Sequence, residues 1–333
     1  MKSQLNVIRK ALADRHPIPT LSDSTLRSSI ILKLQSESDW QTEDAISTVV
    51  DNMYLPIFEY ISGSMRTTNP CKTPFFVGIS APQGAGKTTL TSALQYLFSL
   101  RNKRCEILSL DDFYLTANDQ ANVTKRHASN PLLQFRGNAG THDMSLLQHT
   151  LQDLQTVSSH TPFCRIPRYD KSLNEGRGDR APIEEWSVVN EAPDVVLLEG
   201  WMFGFEPILG ENATLLSDDM REVNDYLQSY KEFHLMMDAW LVIDAERIDY
   251  VYKWRQEAET HMSKSGKASL SEAQIRDFVD RFMPAYEAYL PTLRLNGPER
   301  FNAEDDRSEN STTCPILQVT IGADRVPIAA SVM

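Results

Sequence analysis

A short glycine-bearing segment holds the residues whose spacing indicates the clearest chemistry. Residues 75–90 read FFVGISAPQGAGKTTL, so an apolar run leads directly into Gly84, Gly86, Lys87 and Thr88. A buried strand, a glycine loop and a following helix are the parts of a phosphate-binding loop. Backbone N–H groups and the helix N-terminus bind phosphate oxygens, a lysine reaches the β- and γ-phosphates, and a hydroxyl can bind Mg²⁺. The predicted nucleotide contacts are Gln83, Gly84, Ala85, Gly86, Lys87, Thr88 and Thr89.

One position departs from the usual pattern of such a loop. Ala81 stands where the first glycine is common, and Pro82 follows it. A proline biases the preceding residue towards extended backbone, which a residue with a Cβ adopts without strain. We therefore expect the loop to form and to bind a nucleoside triphosphate.

Acidic side chains follow two further apolar runs. Asp111 and Asp112 come directly after residues 105–110 (CEILSL), and Glu199 comes directly after residues 194–198 (DVVLL). The carboxyl ends of parallel strands meet at one edge of a sheet, which is where ligands bind. We therefore expect these acids to lie beside the phosphate-binding loop.

Their position suggests two roles in phosphoryl transfer. Glu199, with Thr88 and Asp111, is predicted to hold Mg²⁺ directly or through water. Asp111 is the preferred general base for an acceptor hydroxyl, and Lys87 the main charge on the phosphates. Asp112 is the alternative base, and helix capping is an alternative role for both aspartates.

Basic residues are concentrated in one short stretch of an acidic chain. The net charge is −12, yet residues 165–180 contain Arg165, Arg168, Lys171, Arg177 and Arg180. Arginine binds carboxylates in bidentate fashion, so this stretch predicts an anion site, with a solvated loop as the alternative. A polar cluster before this stretch and one arginine after it complete the set of candidate site residues. The predicted acceptor contacts are Arg136, His142, Asp143, Arg168, Tyr169, Lys171 and Arg180, and the predicted lid arginine is Arg255.

Composition excludes several classes of partner. A net charge of −12 argues against broad binding to nucleic acid or to anionic membranes. No apolar run is long enough to cross a bilayer, and the four cysteines are scattered without metal-ligand spacing. We expect a monomer in a reducing compartment whose partners are small molecules, with no nucleic acid and no membrane.

Strands that alternate with helices predict an α/β fold with a mostly parallel, doubly wound sheet flanked by helices, of the P-loop NTPase type. Residues 117–145 read as a polar loop and residues 314–321 as a last edge strand. The predicted division is a helical N-terminal extension at 1–70 and a P-loop kinase domain at 71–333, with a helical insertion at 205–238 and lid and C-terminal helices at 249–295.

Eight blocks of sequence resemble one family when they are taken together. They stand in family order between residues 74 and 295 and read ISAPQGAGKTTL, LSLDDFYLT, FRGNAGTHD, PRYDKS, GRGDRAP, EGWMFGF, VYKWRQEAE and DFVDRFMPAYEAYLPTL. The set resembles plant-type D-glycerate 3-kinase, which is related to uridine kinase, pantothenate kinase and phosphoribulokinase. A fungal group of ATP-dependent kinases shares DDFYLT, GTHD, EGW and GDR.

The resemblance implies a specific reaction and roles for particular residues. The reaction is phosphorylation of D-glycerate at its 3-hydroxyl by ATP with Mg²⁺, giving 3-phosphoglycerate and ADP in photorespiration. It implies a chloroplast location for a photosynthetic eukaryote and a cytoplasmic one otherwise. Asp111 would be the base, Glu199 would lie near Mg²⁺, Asp143 would contact substrate hydroxyls, and Arg255 would belong to the lid.

Two alternatives remain open at this point. The same chemistry could act on another small alcohol or on a nucleoside, or the chain could be a non-catalytic ATP-binding regulatory protein. The resemblance leaves open which basic residue holds the carboxylate, and it assigns no role to residues 1–70.

Overall fold

The protein is an α/β structure built on one six-stranded sheet, which confirms the predicted fold class. The computed structural model describes residues 6–13, 24–37, 42–68, 73–157, 163–264, 270–299 and 314–333. The strands are β1 (Phe75–Ser80), β2 (Cys105–Ser109), β3 (Cys164–Ile166), β4 (Tyr169–Asp170), β5 (Asp179–Arg180), β6 (Ser187–Val189), β7 (Val195–Gly200), β8 (Ala239–Ala245), β9 (Ile316–Ile321) and β10 (Pro327–Val332).

Helices flank the sheet and make up most of the remaining regular structure. They are α1 (Val7–Ala13), α2 (Ser24–Glu37), α3 (Glu43–Val49), α4 (Leu55–Thr67), α5 (Lys87–Ser99), α6 (Ala117–Arg126), α7 (Met144–Thr156), α8 (Asp218–Leu227), α9 (Lys231–Leu235), α10 (Tyr250–Lys264), α11 (Glu272–Asp280) and α12 (Met283–Asn296). Among the described residues, none of these helices is long and apolar enough to cross a membrane.

The order of strands in the main sheet is β10-β9-β8-β1-β7-β2, and only β10 runs antiparallel to its neighbour. Every residue of β1 and of β7 is buried, as expected for central strands of a parallel sheet. Ser80 pairs with Gly200, and Ser109 pairs with Glu199. The carboxyl ends of β1, β7 and β2 are therefore adjacent, so the segments that follow β1 and β2 start beside Glu199.

The N-terminal helices pack against the same sheet. Helix α1 contacts β10, and Arg9 forms an ion pair of 3.0 Å with the buried Glu59. The Tyr60 hydroxyl lies 3.0 Å from the carbonyl oxygen of Trp240 and 2.8 Å from that of Pro315. The helical content predicted for this part of the chain is present, whereas the boundary at residue 70 lies outside the described residues and stays a prediction.

Two sequence-based expectations are wrong. Residues 117–145, expected to be a loop, contain α6, whose first turn is capped by Thr116 through the Asp119 N–H, and a 3-10 turn at Pro131–Leu133. The polar composition of α6 concealed it, since Val123 is its one buried residue. Strand β9 lies between β8 and β10 and is therefore not at the edge. The alanine-rich β10 takes the edge position.

Candidate active site

The phosphate-binding loop has the backbone that its glycines predict. Gly84 and Gly86 have φ of 79° and 92°, a left-handed conformation that side-chain-bearing residues rarely adopt. A Cβ on Gly84 would also lie 2.6 Å from the Cβ of Trp254. Helix α5 starts directly after Gly86, so its unpaired first N–H groups are at the loop. This arrangement can bind phosphate.

Lys87 is held inside the loop. Its Nζ atom donates to the carbonyl oxygens of Ala81 at 2.9 Å and Pro82 at 3.2 Å. Burial lowers the pKa of Lys87, whereas Glu199 and Asp111 act to raise it. The lysine charge therefore lies at the point where the loop, β2 and β7 meet.

Asp111 is surrounded by groups that favour its charged form. It accepts a hydrogen bond of 2.9 Å from the Tyr114 hydroxyl and forms an ion pair with Lys171. Burial acts to raise the pKa of Asp111. The charges of Lys171 and Lys87 and the hydrogen bonds outweigh burial, so this pKa lies below its ordinary value. Asp111 is therefore ionised near neutral pH.

Asp112 has different partners from its neighbour. Its Oδ2 accepts from Arg168 Nη1 at 2.9 Å, and its Oδ1 accepts from the backbone N–H of Tyr169 at 3.1 Å. The same guanidinium donates from Nη2 to the hydroxyl of Ser187 at 2.8 Å. Burial raises the pKa of Asp112, and Arg168 opposes that shift. Both oxygens of Asp112 are thus engaged in holding the basic stretch at residues 165–180, referred to below as the basic loop.

Glu199, the penultimate residue of β7, has one oxygen unpaired. The residue is 6% exposed, and its Oε2 atom has no hydrogen-bond partner among the described residues. Burial raises the pKa of Glu199 above its ordinary value, and the charge of Lys87 opposes this. An unpaired buried carboxylate oxygen is costly unless a ligand completes it.

These side chains line one cleft of about 990 Å³. The cleft brings together most of the predicted site. The predicted residues that line it are Gln83, Gly84, Ala85, Gly86, Lys87, Thr88, Thr89, Asp111, Asp112, Arg168, Lys171, Glu199 and Arg255.

Arg255 lies on α10 at the side of the cleft. It forms an ion pair with the buried Glu259, and its guanidinium carbon is 4.5 Å from the ring centroid of Phe278. Glu259 also accepts from the backbone N–H of Leu270 at 2.7 Å, so it joins α10 to the segment before α11. Arg255 therefore lines the same cleft as the phosphate-binding loop, but its guanidinium is paired with Glu259 of the same helix.

Five predicted acceptor contacts lie outside the lining of this cleft: Arg136, His142, Asp143, Tyr169 and Arg180. They form a second polar cluster that contacts Tyr114, the residue whose hydroxyl binds Asp111. Arg180 donates from Nη2 to Asp143 Oδ2 at 2.8 Å and to the carbonyl oxygen of Tyr114 at 3.3 Å. His142 stacks on Tyr114 with ring centroids 4.5 Å apart.

His142 is more deeply placed than an exposed substrate contact would be. It is 5% exposed, its Nδ1 is 2.6 Å from the Tyr230 hydroxyl, and its Nε2 has no partner among the described residues. Burial lowers the pKa of His142 to about 4, so the ring is neutral. Arg136 is instead half-buried and donates to the Gly176 carbonyl oxygen at 2.9 Å.

The residue types at the cleft fit a nucleotide-bound Mg²⁺. Among the described residues, no group of three or more His, Cys, Asp and Glu side chains could hold a metal ion by itself. Mg²⁺ in kinases usually has one or two carboxylates and completes its shell with phosphates and water. The unpaired oxygen of Glu199, which lines the same cleft as Asp111 and Thr88, suits that mode.

Sequence reasoning missed several residues that shape the site. Val49, Met53 and Tyr54 from the N-terminal helices line the cleft, as does Arg325 from the β9–β10 turn. Trp201 donates from Nε1 to the carbonyl oxygen of Gly137 at 3.1 Å and so anchors the loop that precedes Asp143. Trp201 falls in the EGW block, but no local pattern marks the other four.

The chain resembles known kinases in sequence and in fold. No protein-family model matches it. The protein named "D-glycerate 3-kinase, chloroplastic" of Arabidopsis thaliana is 39% identical over 285 residues, which is 84% of this chain and 60% of the Arabidopsis protein. The protein named "Probable ATP-dependent kinase TDA10" of Saccharomyces cerevisiae is 37% identical over 260 residues, which is 74% of this chain and 88% of the yeast protein.

A solved structure agrees with this grouping. The D-glycerate 3-kinase of Cryptococcus neoformans superposes with a TM-score of 0.72 at 28% identity, over 84% of this chain and 99% of that one. The phosphate-binding loop, the parallel sheet and these relatives lead to one conclusion. The chain belongs to the family of P-loop kinases that includes D-glycerate 3-kinase.

Proposed function

We propose that this protein transfers the γ-phosphoryl group of ATP to the 3-hydroxyl of D-glycerate, giving 3-phosphoglycerate and ADP. The observation that carries the proposal is the shared cleft of Lys87, Asp111 and Glu199 at the carboxyl ends of three adjacent strands. The choice of D-glycerate rests on the names of the Arabidopsis and Cryptococcus relatives, since the cleft alone specifies only phosphoryl transfer.

In this reaction the phosphate-binding loop and Lys87 hold the triphosphate in line with the acceptor. The 3-oxygen of glycerate forms a bond to the γ-phosphorus, and the bond from that phosphorus to the β,γ-bridging oxygen breaks to release ADP. Asp111 accepts the proton of the attacking hydroxyl. A carboxylate with a lowered pKa suits a loose transition state, in which orienting the hydroxyl matters more than early proton removal.

Thr88, Glu199 and Asp111 are the residues that would hold Mg²⁺ with the nucleotide. When bound, the ion neutralises charge on the β- and γ-phosphates. Arg255 would add positive charge from α10 after leaving Glu259. These assignments draw support from the cleft, in which all four side chains lie.

The acceptor would bind between the cleft and the second polar cluster. Guanidinium groups suit its carboxylate, and Asp143 suits its hydroxyls. Arg180 is the best candidate for the carboxylate, because it is close to Tyr114 and its Nε is buried without a partner among the described residues. Arg168 is already committed to Asp112 and Ser187. Arg136, His142, Tyr169 and Lys171 complete the proposed acceptor site.

The cellular location, the metabolic role and the oligomeric state are also proposals. The Arabidopsis relative is named as chloroplastic, which supports a chloroplast location and a photorespiratory role if the source is a photosynthetic eukaryote. For any other source we propose the cytoplasm. We further propose that the protein acts as a monomer, which light scattering during gel filtration would test.

A coupled assay tests the reaction and its position. ADP release would be measured with D-glycerate, L-glycerate, uridine and pantothenate, each against a blank without acceptor. We expect D-glycerate to have the highest kcat/KM by a wide margin. The product should be consumed by phosphoglycerate kinase without added mutase, which separates 3-phosphoglycerate from the 2-phosphate. Preference for another alcohol would support the alternative acceptor class, and no turnover with any acceptor would support the regulatory alternative.

A further inference from the structure

The tip of the phosphate-binding loop is a tight turn made by residues 82–85. The N–H of Ala85 donates to the carbonyl oxygen of Pro82 at 3.2 Å, which closes the turn. The same oxygen accepts from Lys87 Nζ at 3.2 Å. The orientation of the Pro82–Gln83 and Gly84–Ala85 peptide planes therefore decides the shape of the loop.

The first of these planes is fixed by a residue far along the chain. The N–H of Gln83 donates to the hydroxyl of Tyr286 at 3.1 Å. Tyr286 is on α12, is 1% exposed, and packs against Trp201 with ring centroids 5.1 Å apart. The N–H and C=O of a peptide unit point in opposite directions. Holding the Gln83 N–H thus keeps the Pro82 carbonyl directed at Ala85 and Lys87.

The second plane is fixed from the β9–β10 turn. Arg325 donates from Nε to the carbonyl oxygen of Gly84 at 2.7 Å and from Nη1 to Glu257 at 2.7 Å. Its guanidinium also lies over the ring of Trp254, 5.2 Å from the centroid. Arg325 has a φ of 63°, an uncommon conformation for a non-glycine residue that persists when surrounding contacts enforce it. Holding the Gly84 carbonyl keeps the Ala85 N–H on Pro82.

We propose that Tyr286 and Arg325 are positioning residues that hold the phosphate-binding loop in its binding shape before the nucleotide arrives. A loop that is already ordered loses less conformational entropy on binding, so each contact raises the affinity for ATP. Holding the loop matters here because Pro82 donates no N–H, so the remaining backbone N–H groups must be kept in place for the phosphates. The inference rests on the nucleotide part of the proposed function and is independent of the acceptor.

Tyr286 gives the sharper test because it does not line the cleft, whereas Arg325 does and could touch the nucleotide itself. Tyr289 provides a matched control on the same helix. It is equally buried, and its hydroxyl donates to Asn224 of α8 at 3.2 Å rather than to the loop. Tyr286→Phe and Tyr289→Phe each remove one buried hydroxyl and leave the ring in place.

The experiment measures equilibrium binding of a fluorescent ATP analogue and the melting temperature of each variant. We expect Tyr286→Phe to raise the Kd for the analogue about 3- to 10-fold, the range of one ordinary hydrogen bond. Both variants should lower the melting temperature to a similar extent, because each loses one buried hydrogen bond. Tyr289→Phe should leave the Kd unchanged. Arg325→Lys, which keeps the charge but loses the planar fork, should also raise the Kd. An unchanged Kd in Tyr286→Phe, or an equal rise in Tyr289→Phe, would overturn the proposal.

Amide hydrogen exchange without nucleotide gives a second readout that needs no binding. The Gln83 amide should exchange slowly in the unaltered protein and in Tyr289→Phe, and faster in Tyr286→Phe. If the Gln83 amide exchanges equally fast in all three proteins, the Tyr286 contact does not hold the loop and the proposal fails. Neither readout depends on D-glycerate, so a failure of the proposed reaction is separable from a failure of this inference.

Discussion

Arg168 Nη1 donates to Asp112 Oδ2 at 2.9 Å, and this contact distinguishes two adjacent aspartates that the sequence presents as alternatives. Asp112 binds the basic loop through both oxygens, whereas Asp111 faces Lys171 and the Tyr114 hydroxyl in the cleft. The geometry therefore favours Asp111 as the general base and gives Asp112 a role in holding the loop.

We predict different kinetic effects for the two aspartates. Asp111→Asn should lower kcat by on the order of 10²- to 10⁴-fold, because the acceptor hydroxyl loses its general base. Asp112→Asn should leave kcat within about tenfold and raise the KM for the acceptor, because the basic loop loses an ion pair. Steady-state kinetics with both substrates varied would measure this. A larger kcat loss in Asp112→Asn than in Asp111→Asn would assign the base to Asp112 instead.

Replacement of Lys87 and replacement of Glu199 should impair turnover in different ways. Lys87→Ala should abolish turnover at any Mg²⁺ concentration, because the phosphates lose their main point charge. Glu199→Gln should keep turnover at high Mg²⁺ and raise the Mg²⁺ concentration for half-maximal activity about 10- to 100-fold. Titration of activity with Mg²⁺ at saturating ATP separates the two. An unchanged Mg²⁺ requirement in Glu199→Gln would exclude that carboxylate from the metal site.

Replacement of Arg180 should weaken binding of the acceptor more than binding of the nucleotide. Arg180→Gln should raise the KM for the acceptor about 10- to 100-fold, the range of a hydrogen bond to a charged group, and leave the KM for ATP within about twofold. Arg165→Gln is the control from the same basic stretch, because Arg165 contacts only the Ile183 carbonyl oxygen and the Phe163 ring in the described structure. Equal effects of Arg180→Gln on both substrates would count against a carboxylate-binding role.

Two buried histidines should make stability depend on pH. Burial lowers the pKa of His142 to about 4 and that of His234 to about 3. His234 Nε2 also accepts from the Gly204 N–H at 3.0 Å, so protonation would break that hydrogen bond. In the unfolded chain both have the ordinary pKa of about 6.5. Below that pH the unfolded state binds protons that the folded state does not bind.

The free energy of unfolding should therefore fall as pH drops from about 6.5 towards 4. The loss is at most about 1.4 kcal/mol per pH unit for each histidine, and these groups contribute no slope above about pH 7.5. Urea denaturation of His142→Gln at several pH values should show a shallower loss than the unaltered protein. The same slope in His142→Gln as in the unaltered protein would show that His142 does not contribute.

The sequence by itself determined the local chemistry of this protein. Short patterns specify the glycine loop with Lys87 and Thr88, the aspartates after β2 and the glutamate near the end of β7, since hydrophobic runs followed by polar residues mark strand ends. Their meeting at one edge followed from the parallel sheet. Helix α6 and strand β10 were missed because each buries few apolar side chains, so periodicity gave little signal.

Only the tertiary structure decided which side chains hold that chemistry in place. Gln83 and Tyr286 are 203 positions apart, and Gly84 and Arg325 are 241 apart, so no local pattern relates them. The partners of Asp111 and Asp112 likewise depend on how residues 168–171 fold back onto the turn that follows β2. Such contacts result from packing of distant segments, in which position depends on the whole fold, whereas motif spacing depends on neighbouring residues alone.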